Sequence, residues 1–161
     1  MANSWFQFQQ FRVNQEQCAM KISTDAVMLG ALAGAASPKE ILDVGTGTGV
    51  IALMLAQRFA DAKIQAVEID PQAAAQALDN FRANTFSDRL KLWEGRFQDF
   101  QPEQKYDLIV SNPPYFPDHL KSSDVQRNMA LHTDELSFQD LLEKVNVLLG
   151  ASGQFWIILP P

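Results

Sequence analysis

The stretch "KEILDVGTGTGVIALMLAQRFA", residues 39–60, decides the fold. It begins with an apolar segment typical of a buried strand and ends with an apolar segment typical of a helix. Between them, Gly45, Gly47 and Gly49 let the backbone turn tightly and let a ligand approach without a Cβ in the way. The helix start offers free N–H groups and a positive dipole end to an anionic group. The stretch therefore predicts a strand, a ligand-binding turn and a helix.

Strand and helix patterns alternate after this unit. Further strands are predicted at residues 63–70, 90–95, 106–112 and 153–160. Asp70 as N-cap and Pro71 in the first helical position open one helix. Ser137 in a capping box opens another, which runs through Leu149 and is ended by Gly150. This alternation predicts an α/β fold with a doubly wound, mostly parallel sheet that is covered by helices on both faces.

The length of the chain fits one domain. A chain of 161 residues is long enough for one hydrophobic core and too short for two ordinary domains. We predict a single domain over residues 1–161, with residues 1–36 as an N-terminal cap and residues 37–161 as the ligand-binding core. Pro160 and Pro161 stand at the tip of a core strand, so we expect that the chain lacks the C-terminal elements of its fold. The alternative is a naturally short chain.

Composition and charge exclude several classes of function. No apolar run reaches membrane-spanning length, so we predict no membrane partner. The formal net charge of -6 argues against a large non-specific DNA-binding surface but does not exclude a single RNA loop as substrate. Cys18 is the one cysteine, which suits a reducing cytosol and predicts a cytoplasmic protein. His119 and His132 lack neighbouring metal ligands, so we predict no metal.

An acidic residue stands at the expected end of the second strand. Glu68 follows the glycines by about twenty residues, which is where Rossmann folds hold ribose hydroxyls. A dinucleotide site has the pattern G-x-G-x-x-G, whereas here the third glycine comes one position early. The glycines and Glu68 in register predict a nucleoside cofactor. The alternative is a tight turn followed by a solvated strand end.

Three features together resemble a known family: "DVGTGTG" at residues 43–49, the acidic Glu68, and "NPPY" at residues 112–115. They resemble the S-adenosylmethionine-dependent methyltransferases that act on the N6 amine of adenine or on the amide of glutamine. The resemblance extends from about Cys18 to the end of the chain, and it implies a Rossmann-like class I methyltransferase fold with S-adenosylmethionine as cofactor. The segments "CAMKISTDAVMLGA" and "SNPPYF" are similar to members that methylate adenine-37 of valine tRNA, in the anticodon loop.

The resemblance implies a catalytic role for Asn112, Pro113, Pro114 and Tyr115. An exocyclic amine is a poor nucleophile because its lone pair is delocalised, so two acceptors must hold its N–H groups and turn the lone pair toward the methyl group. The side-chain oxygen of Asn112 and the backbone carbonyl of Pro113 are these acceptors, and proline stiffens the second by fixing φ. Tyr115 stacks on the base. The alternative is a turn with two prolines and a core tyrosine.

The resemblance also implies which residues bind the cofactor. Lys21, Thr24 and Asp25 are expected near its methionine end, and the alternative is a helix N-terminus that Thr24 or Asp25 caps. Asp43 is expected to attract its cationic groups by charge. The full set is Lys21, Thr24, Asp43, Gly45, Thr46, Gly47, Gly49, Glu68, Phe97 and Asn112.

The predicted contact with the adenine ring departs from the family pattern. Members usually have an acidic residue after the third strand, and Arg96 stands there in this chain. Phe97 is expected to pack on the adenine ring in its place. Asp99 is a possible substitute for the acidic residue, although a solvated loop carboxylate is favoured.

The polar segment after "NPPYF", residues 117–136, is predicted to be a substrate loop because of its length, polarity and position. Tyr115, Phe116, Lys121 and Arg127 are the predicted substrate-binding residues, the two cations through phosphate. The alternative for lone cations on a loop is simple solvation.

The sequence leaves three candidate functions. The first is methylation of N6 of an adenine in tRNA, with adenine-37 of valine tRNA favoured by the N-terminal resemblance. The second is N5-methylation of a glutamine side chain in a protein such as a release factor, since "NPPY" serves both reactions. The third is an NAD-dependent oxidoreductase, which the glycine spacing disfavours. A monomer is the favoured oligomeric state.

Overall fold

The computed structural model describes residues 3–113 and 136–161, which form a five-stranded sheet, a two-stranded hairpin and flanking helices. The strands are β1 (Trp5–Gln7), β2 (Arg12–Asn14), β3 (Glu40–Val44), β4 (Lys63–Glu68), β5 (Leu90–Glu94), β6 (Tyr106–Ser111) and β7 (Leu149–Ile157). The helices are α1 (Thr24–Leu32), α2 (Val50–Arg58), α3 (Pro71–Arg82) and α4 (Phe138–Leu148), with short 3-10 turns at Ser87–Arg89 and Phe97–Asp99. None of the helices in the described part of the chain is long and apolar enough to cross a membrane.

The large sheet is parallel and has the strand order β5-β4-β3-β6-β7. The central strand β3 pairs with β4 on one side and with β6 on the other, so that Asp43 stands between Ala66 and Val110. The strand order therefore reverses at β3, and open α/β sheets bind their ligands at such a point, outside the carboxyl ends of the strands. The predicted α/β fold with a mostly parallel sheet is confirmed.

Apolar side chains cover both faces of the sheet. Ile41 of β3 belongs to a buried cluster that includes Leu29 of α1 and Leu53 of α2. Its neighbour Leu42 belongs to a second buried cluster that includes Leu141 of α4. Because successive residues of a strand point to opposite faces, a continuous run of buried residues is what a sheet covered on both sides requires.

Two predicted helix starts are confirmed. Asp70 is the N-cap of α3, where its Oδ1 accepts a hydrogen bond from the N–H of Gln72 at 3.0 Å, and Pro71 occupies the first turn. Ser137 caps α4 in the same way, and its Oγ accepts from the N–H of Asp140 at 3.0 Å. Each bond satisfies an N–H group that a helix start leaves without a partner inside the helix.

The predicted end of α4 is wrong. The helix ends at Leu148, and β7 begins directly at Leu149, which is extended (φ −70°, ψ 134°), instead of at residue 153. Gly150 therefore lies inside β7 and does not end the helix. A Cβ at Gly153 would lie 2.8 Å from the carbonyl oxygen of Tyr106, and one at Gly150 would lie 3.4 Å from it. The glycines serve the close approach of β7 to β6 at a register shift that follows Tyr106.

An antiparallel hairpin of β1 and β2 precedes α1, and the sequence analysis did not predict it. Trp5 pairs with Asn14, and Gln7 pairs with Arg12. The guanidinium of Arg12 lies 4.0 Å from the centroid of the Trp5 ring. The second strand of the hairpin leads into the segment that borders the cavity described next.

Candidate cofactor and substrate-amine site

A cavity of about 560 Å³ opens at the carboxyl ends of β3, β4 and β6. Its walls come from the segment before α1, the glycine-rich loop after β3, the end of β4 with the start of α3, and the residues after β5 and β6. The predicted site residues that line it are Lys21, Gly45, Thr46, Gly47, Glu68, Phe97, Asn112 and Pro113. Thr24, Asp43 and Gly49 are not among its lining residues. The structure thus brings the glycine motif, the acidic strand end and the first half of "NPPY" to one cavity.

The glycine-rich loop has a left-handed backbone and is bonded to β4. Gly45 has a φ of 75° and Gly47 a φ of 56°, a region that side chains disfavour. The N–H groups of Gly45 and Thr46 both donate to the carbonyl oxygen of Val67, at 2.9 and 3.0 Å. Apart from the glycine itself and its two chain neighbours, no described residue lies within 4 Å of a Cβ built at Gly45 or Gly47. Both glycines therefore leave space that a ligand can fill.

The third glycine has a different role. Gly49 has a φ of 86°, and a Cβ there would lie 2.6 Å from Cε1 of Phe81, so this glycine lets α2 pack against α3. Its N–H donates to the carbonyl oxygen of Thr46 at 2.9 Å, and the N–H of Val50 donates to Oγ1 of Thr48 at 3.4 Å. The prediction that this helix start offers free N–H groups to an anion is wrong for these two residues, because the loop itself satisfies them.

Glu68 is a buried carboxylate that connects three parts of the site. Its side chain lies at the end of β4 with 8% of the residue exposed. Its Oε2 accepts from the N–H of Gly47 at 2.7 Å, and its Oε1 accepts from the N–H of Asp70 at 3.1 Å. The alternative of a solvated strand end is wrong, because Glu68 holds the glycine-rich loop to the start of α3.

Asp43 supports the loop from within the sheet. It is fully buried in β3, and the hydroxyl of Thr46 donates to its Oδ2 at 2.8 Å. Burial raises the pKa of Asp43 to about 7; the hydrogen bond from Thr46 lowers it, and the charge of Glu68 raises it. The attraction of Asp43 for cationic groups of the cofactor stays a prediction.

The segment before α1 forms the N-terminal wall of the cavity. Lys21 lines it, and its Nζ donates to the backbone oxygen of Gln15. The helix begins at Thr24, and Ser23 is its N-cap, with its Oγ accepting from the N–H three residues later at 3.1 Å. The alternative that Thr24 or Asp25 caps this helix is wrong. The signal was present in the sequence, because serine is among the preferred N-cap residues.

Phe97 borders the cavity next to the end of β5. It is 4% exposed, and its ring centroid lies 6.3 Å from that of Phe100. Arg96 and Asp99 do not line the cavity. Nε of Arg96 lies 3.9 Å from Oδ2 of Asp99. Gln98 lines the cavity instead. The sequence analysis missed Gln98, because a single amide in a loop follows no pattern.

Asn112 and Pro113 follow β6 and are half-buried beside the cavity. The end of this strand is fixed by Ser111, whose Oγ donates to the carbonyl oxygen of Val44 in β3 at 3.0 Å. The amide and carbonyl oxygens of these two residues are the acceptors that the sequence predicts for a substrate amine. The other predicted residues lie outside the described residues: Pro114, Tyr115, Phe116, Lys121, Arg127, His119 and His132. Residues 117–135 of the predicted substrate loop do so too, while its last residue, Leu136, lines the cavity.

The ionisable residues described around the cavity do not form a metal centre. Within residues 3–113 and 136–161, no three His, Cys, Asp or Glu side chains are grouped so that they could hold a metal ion.

Cys18 lines the cavity. Burial raises the pKa of its thiol to about 11, and the charge of Glu68 contributes less to the same shift. Cys18 is therefore a neutral thiol and not a thiolate nucleophile.

Two solved structures with a similar fold are methyltransferases. The glycopeptide N-methyltransferase MtfA, complexed with S-adenosyl-L-methionine, superposes with a TM-score of 0.58 at 15% identity over 83% of this chain and 48% of its own. The CcbJ methyltransferase from Streptomyces caelestis gives a TM-score of 0.57 at 21% identity over 83% of this chain and 46% of its own. These likenesses show the fold, which is that of the class I methyltransferases.

Closer relatives define the family. The model of the methyltransferase small domain matches residues 22–159. The tRNA1(Val) (adenine(37)-N6)-methyltransferase of Pedobacter heparinus is 54% identical over 155 residues, which is 96% of this chain and 66% of the relative. The protein of the same name from Parabacteroides distasonis is 49% identical over 162 residues, which is 99% of this chain and 68% of the relative. The chain belongs to the methyltransferase small domain family. It spans about two thirds of the length of these curated relatives.

Family membership decides between the candidate classes. It confirms the predicted S-adenosylmethionine-dependent methyltransferase and the resemblance on which that prediction rested. It excludes the NAD-dependent oxidoreductase.

Proposed function

We propose that this chain transfers a methyl group from S-adenosylmethionine to N6 of adenine-37 in valine tRNA. The observation that carries the proposal is that Asn112 and Pro113 line the same cavity as Gly47 and Glu68. The names of the curated relatives specify the same nucleotide. The chain spans about two thirds of the length of those relatives. We propose that this part is sufficient for methyl transfer.

The residues around the glycine-rich loop fit a phosphate-free nucleoside cofactor. A carboxylate has about four acceptor positions. Glu68 uses one on each oxygen for a backbone N–H, so it can still accept from two ribose hydroxyls. Gly45 and Gly47 leave room beside it. Phe97 is proposed to pack on the adenine ring, and Lys21 to stand near the methionine end. When bound, S-adenosylmethionine supplies an electrophilic methyl group.

Asn112 and Pro113 are proposed to hold the target amine. The side-chain oxygen of the first and the carbonyl oxygen of the second each accept one N–H, so that the nitrogen lone pair points at the methyl group. With S-adenosylmethionine bound to supply the methyl group, Asn112 and Pro113 would keep the amine in line with it, and the methylated amine would give up its extra proton to solvent. No strong general base is required, because the amine becomes acidic only as the methyl group transfers. Positioning of the two reactants supplies most of the rate.

The remaining predictions belong to the same proposal. Tyr115 and Phe116 hold the extruded base by stacking, and Pro114 stiffens the turn before them. Residues 1–36 act as a cap on the core of residues 37–161, in one domain. The protein works on the anticodon loop as a monomer in the cytoplasm.

The proposal is tested by methyl transfer with labelled S-adenosylmethionine. Unmodified valine tRNA is the substrate, the same tRNA with adenine-37 replaced by guanosine is the matched control, and a release factor tests the glutamine alternative. We expect label in the first RNA alone, mapped to adenine-37. Label in the release factor and not in the RNA would support the glutamine reaction instead.

Glu68→Ala is expected to weaken S-adenosylmethionine binding by about 1–3 kcal/mol, because two ribose hydroxyls lose a charged acceptor. The affinity is measured by isothermal titration calorimetry. Glu103→Ala is the control, because Glu103 is exposed and does not line the cavity. Unchanged affinity in the folded Glu68 variant would contradict the ribose assignment.

Lys121→Ala and Arg127→Ala are expected to weaken tRNA binding modestly and to reduce its salt dependence. A plot of log affinity against log salt concentration has a negative slope, and each lost phosphate contact makes that slope less steep by about one. The slope is measured by fluorescence anisotropy of labelled tRNA at several salt concentrations. If both variants keep the parental slope, the two cations are only solvated.

A further inference from the structure

The side chain of Asn80 in α3 is buried in a set of hydrogen bonds that leads to the cofactor cavity. The residue is 1% exposed. Its Oδ1 accepts from the N–H of Asn14 at 2.9 Å, and its Nδ2 donates to the carbonyl oxygens of Asn14 and Thr48, both at 2.8 Å. The side-chain amide of Asn80 therefore satisfies both the N–H and the C=O of Asn14, as the backbone of a neighbouring strand would. Its second N–H is used by the carbonyl oxygen of Thr48.

The two bonded residues belong to different walls of the cavity. Thr48 lies in the glycine-rich loop and lines the cavity itself. Asn14 ends β2 and leads into residues 15–23, whose last six residues line the cavity. Asn80 does not line the cavity. Within the described residues, its side-chain hydrogen bonds therefore reach the site through the backbones of these two walls.

A second buried amide lies one turn earlier on the same helix. Gln76 is 2% exposed, and its Oε1 accepts from the N–H of Gln17 at 3.0 Å. This bond holds the same N-terminal wall, but it does not extend to the glycine-rich loop. The two amides thus differ in one respect that an experiment can use: Asn80 bonds to both walls and Gln76 to one.

We propose that Asn80 is a positioning residue that fixes the N-terminal wall and the glycine-rich loop relative to each other around S-adenosylmethionine. The bond to Thr48 sets the loop, and the paired bonds to Asn14 set the wall. This inference rests on the cofactor site of the proposed function and does not depend on the tRNA substrate.

Asn80→Asp is the sharpest test, because it keeps the shape of the side chain and the acceptor for the N–H of Asn14. It removes both N–H donors and turns an oxygen toward the carbonyl oxygens of Asn14 and Thr48. We expect the dissociation constant for S-adenosylhomocysteine to rise at least about tenfold, because two buried carbonyl groups lose their partner. In steady-state kinetics, KM for S-adenosylmethionine is expected to rise more than kcat falls.

Gln76→Glu is the matched control. It also buries a carboxyl group on α3, and it keeps an oxygen to accept from the N–H of Gln17. Its effect on thermal stability is therefore expected to be similar to that of Asn80→Asp, while the dissociation constant changes by less than about threefold. Affinities are measured by calorimetry at a temperature at which thermal unfolding shows every variant to be folded.

Either of two results would overturn the inference. One is parental affinity in folded Asn80→Asp, and the other is an equal loss of affinity in the two variants, which would indicate a purely structural role. If Asn80→Asp does not fold, Asn80→Ala removes the same bonds without burying a charge, and parental affinity in that variant would overturn the inference too. A parent that binds S-adenosylhomocysteine but leaves tRNA unmethylated would refute the proposed function and leave this test intact.

Discussion

Replacing Asn112 by alanine is expected to lower kcat by about a hundredfold or more, while the affinity for S-adenosylmethionine stays nearly unchanged. The side-chain oxygen is most important as the amine rehybridises, so its loss acts on the transition state. The end of β6 is fixed independently by the bond from Ser111 to Val44 at 3.0 Å, so the alanine variant is expected to keep its fold. Single-turnover methylation of tRNA and calorimetry with S-adenosylhomocysteine measure the two effects separately.

The tyrosine of the same motif supplies a comparison. Tyr115→Ala is expected to weaken capture of the extruded base by about 1–3 kcal/mol, the value of one lost stack, and Tyr115→Phe is expected to be mild. A folded Asn112→Ala variant that turns over like the parent would remove the amine-orienting role. Equal damage from Tyr115→Phe and Tyr115→Ala would assign a role to the hydroxyl.

Gly49→Ala is expected to reduce the free energy of unfolding by about 2–5 kcal/mol, the sum of a left-handed backbone and an overpacked contact. Gly49 has a φ of 86°, and the new Cβ would lie 2.6 Å from Cε1 of Phe81, a rigid ring that cannot move aside cheaply. Urea unfolding followed by circular dichroism measures the change.

Two further variants separate the causes of this loss. Gly34→Ala is the control, because a Cβ there meets only ordinary contacts, at 3.7 Å from Arg58 and Phe59. Phe81→Leu in the Gly49→Ala background is expected to recover part of the loss by relieving the overpacking. No loss at all in Gly49→Ala would show that α2 and α3 can separate without cost.

Much of the fold could be predicted because its signals are local. A cap such as Asp70 acts within one turn of helix, and the apolar run of β3 shows by itself that both faces of the strand are covered. The glycines and Glu68 were predicted to serve one nucleoside cofactor because their spacing is that of a Rossmann fold. The structure adds that Glu68 bonds to Gly47 directly.

The missed features depend on contacts distant in sequence. All three residues of β1 are exposed, so this strand shows no buried apolar face, and its partner β2 is only three residues long. Gly150 follows a helix pattern, and only the backbone of Tyr106 explains its place inside β7. In the sequence, Asn80 cannot be distinguished from an asparagine on the surface of a helix. Its hydrogen-bond partner Asn14 is 66 residues away.

The hydrogen bonds of the glycine-rich loop also occupy donors that a phosphate would need. The N–H groups of Gly45 and Thr46 are taken by Val67, and that of Gly47 is taken by the carboxylate of Glu68. Loops that cradle phosphate keep such groups free for the anion. A pyrophosphate would here find these three donors occupied and the carboxylate of Glu68 beside them. At these three positions the loop therefore offers no free N–H group to a phosphate, and the carboxylate that closes the position of Gly47 is the one that is proposed to bind the ribose.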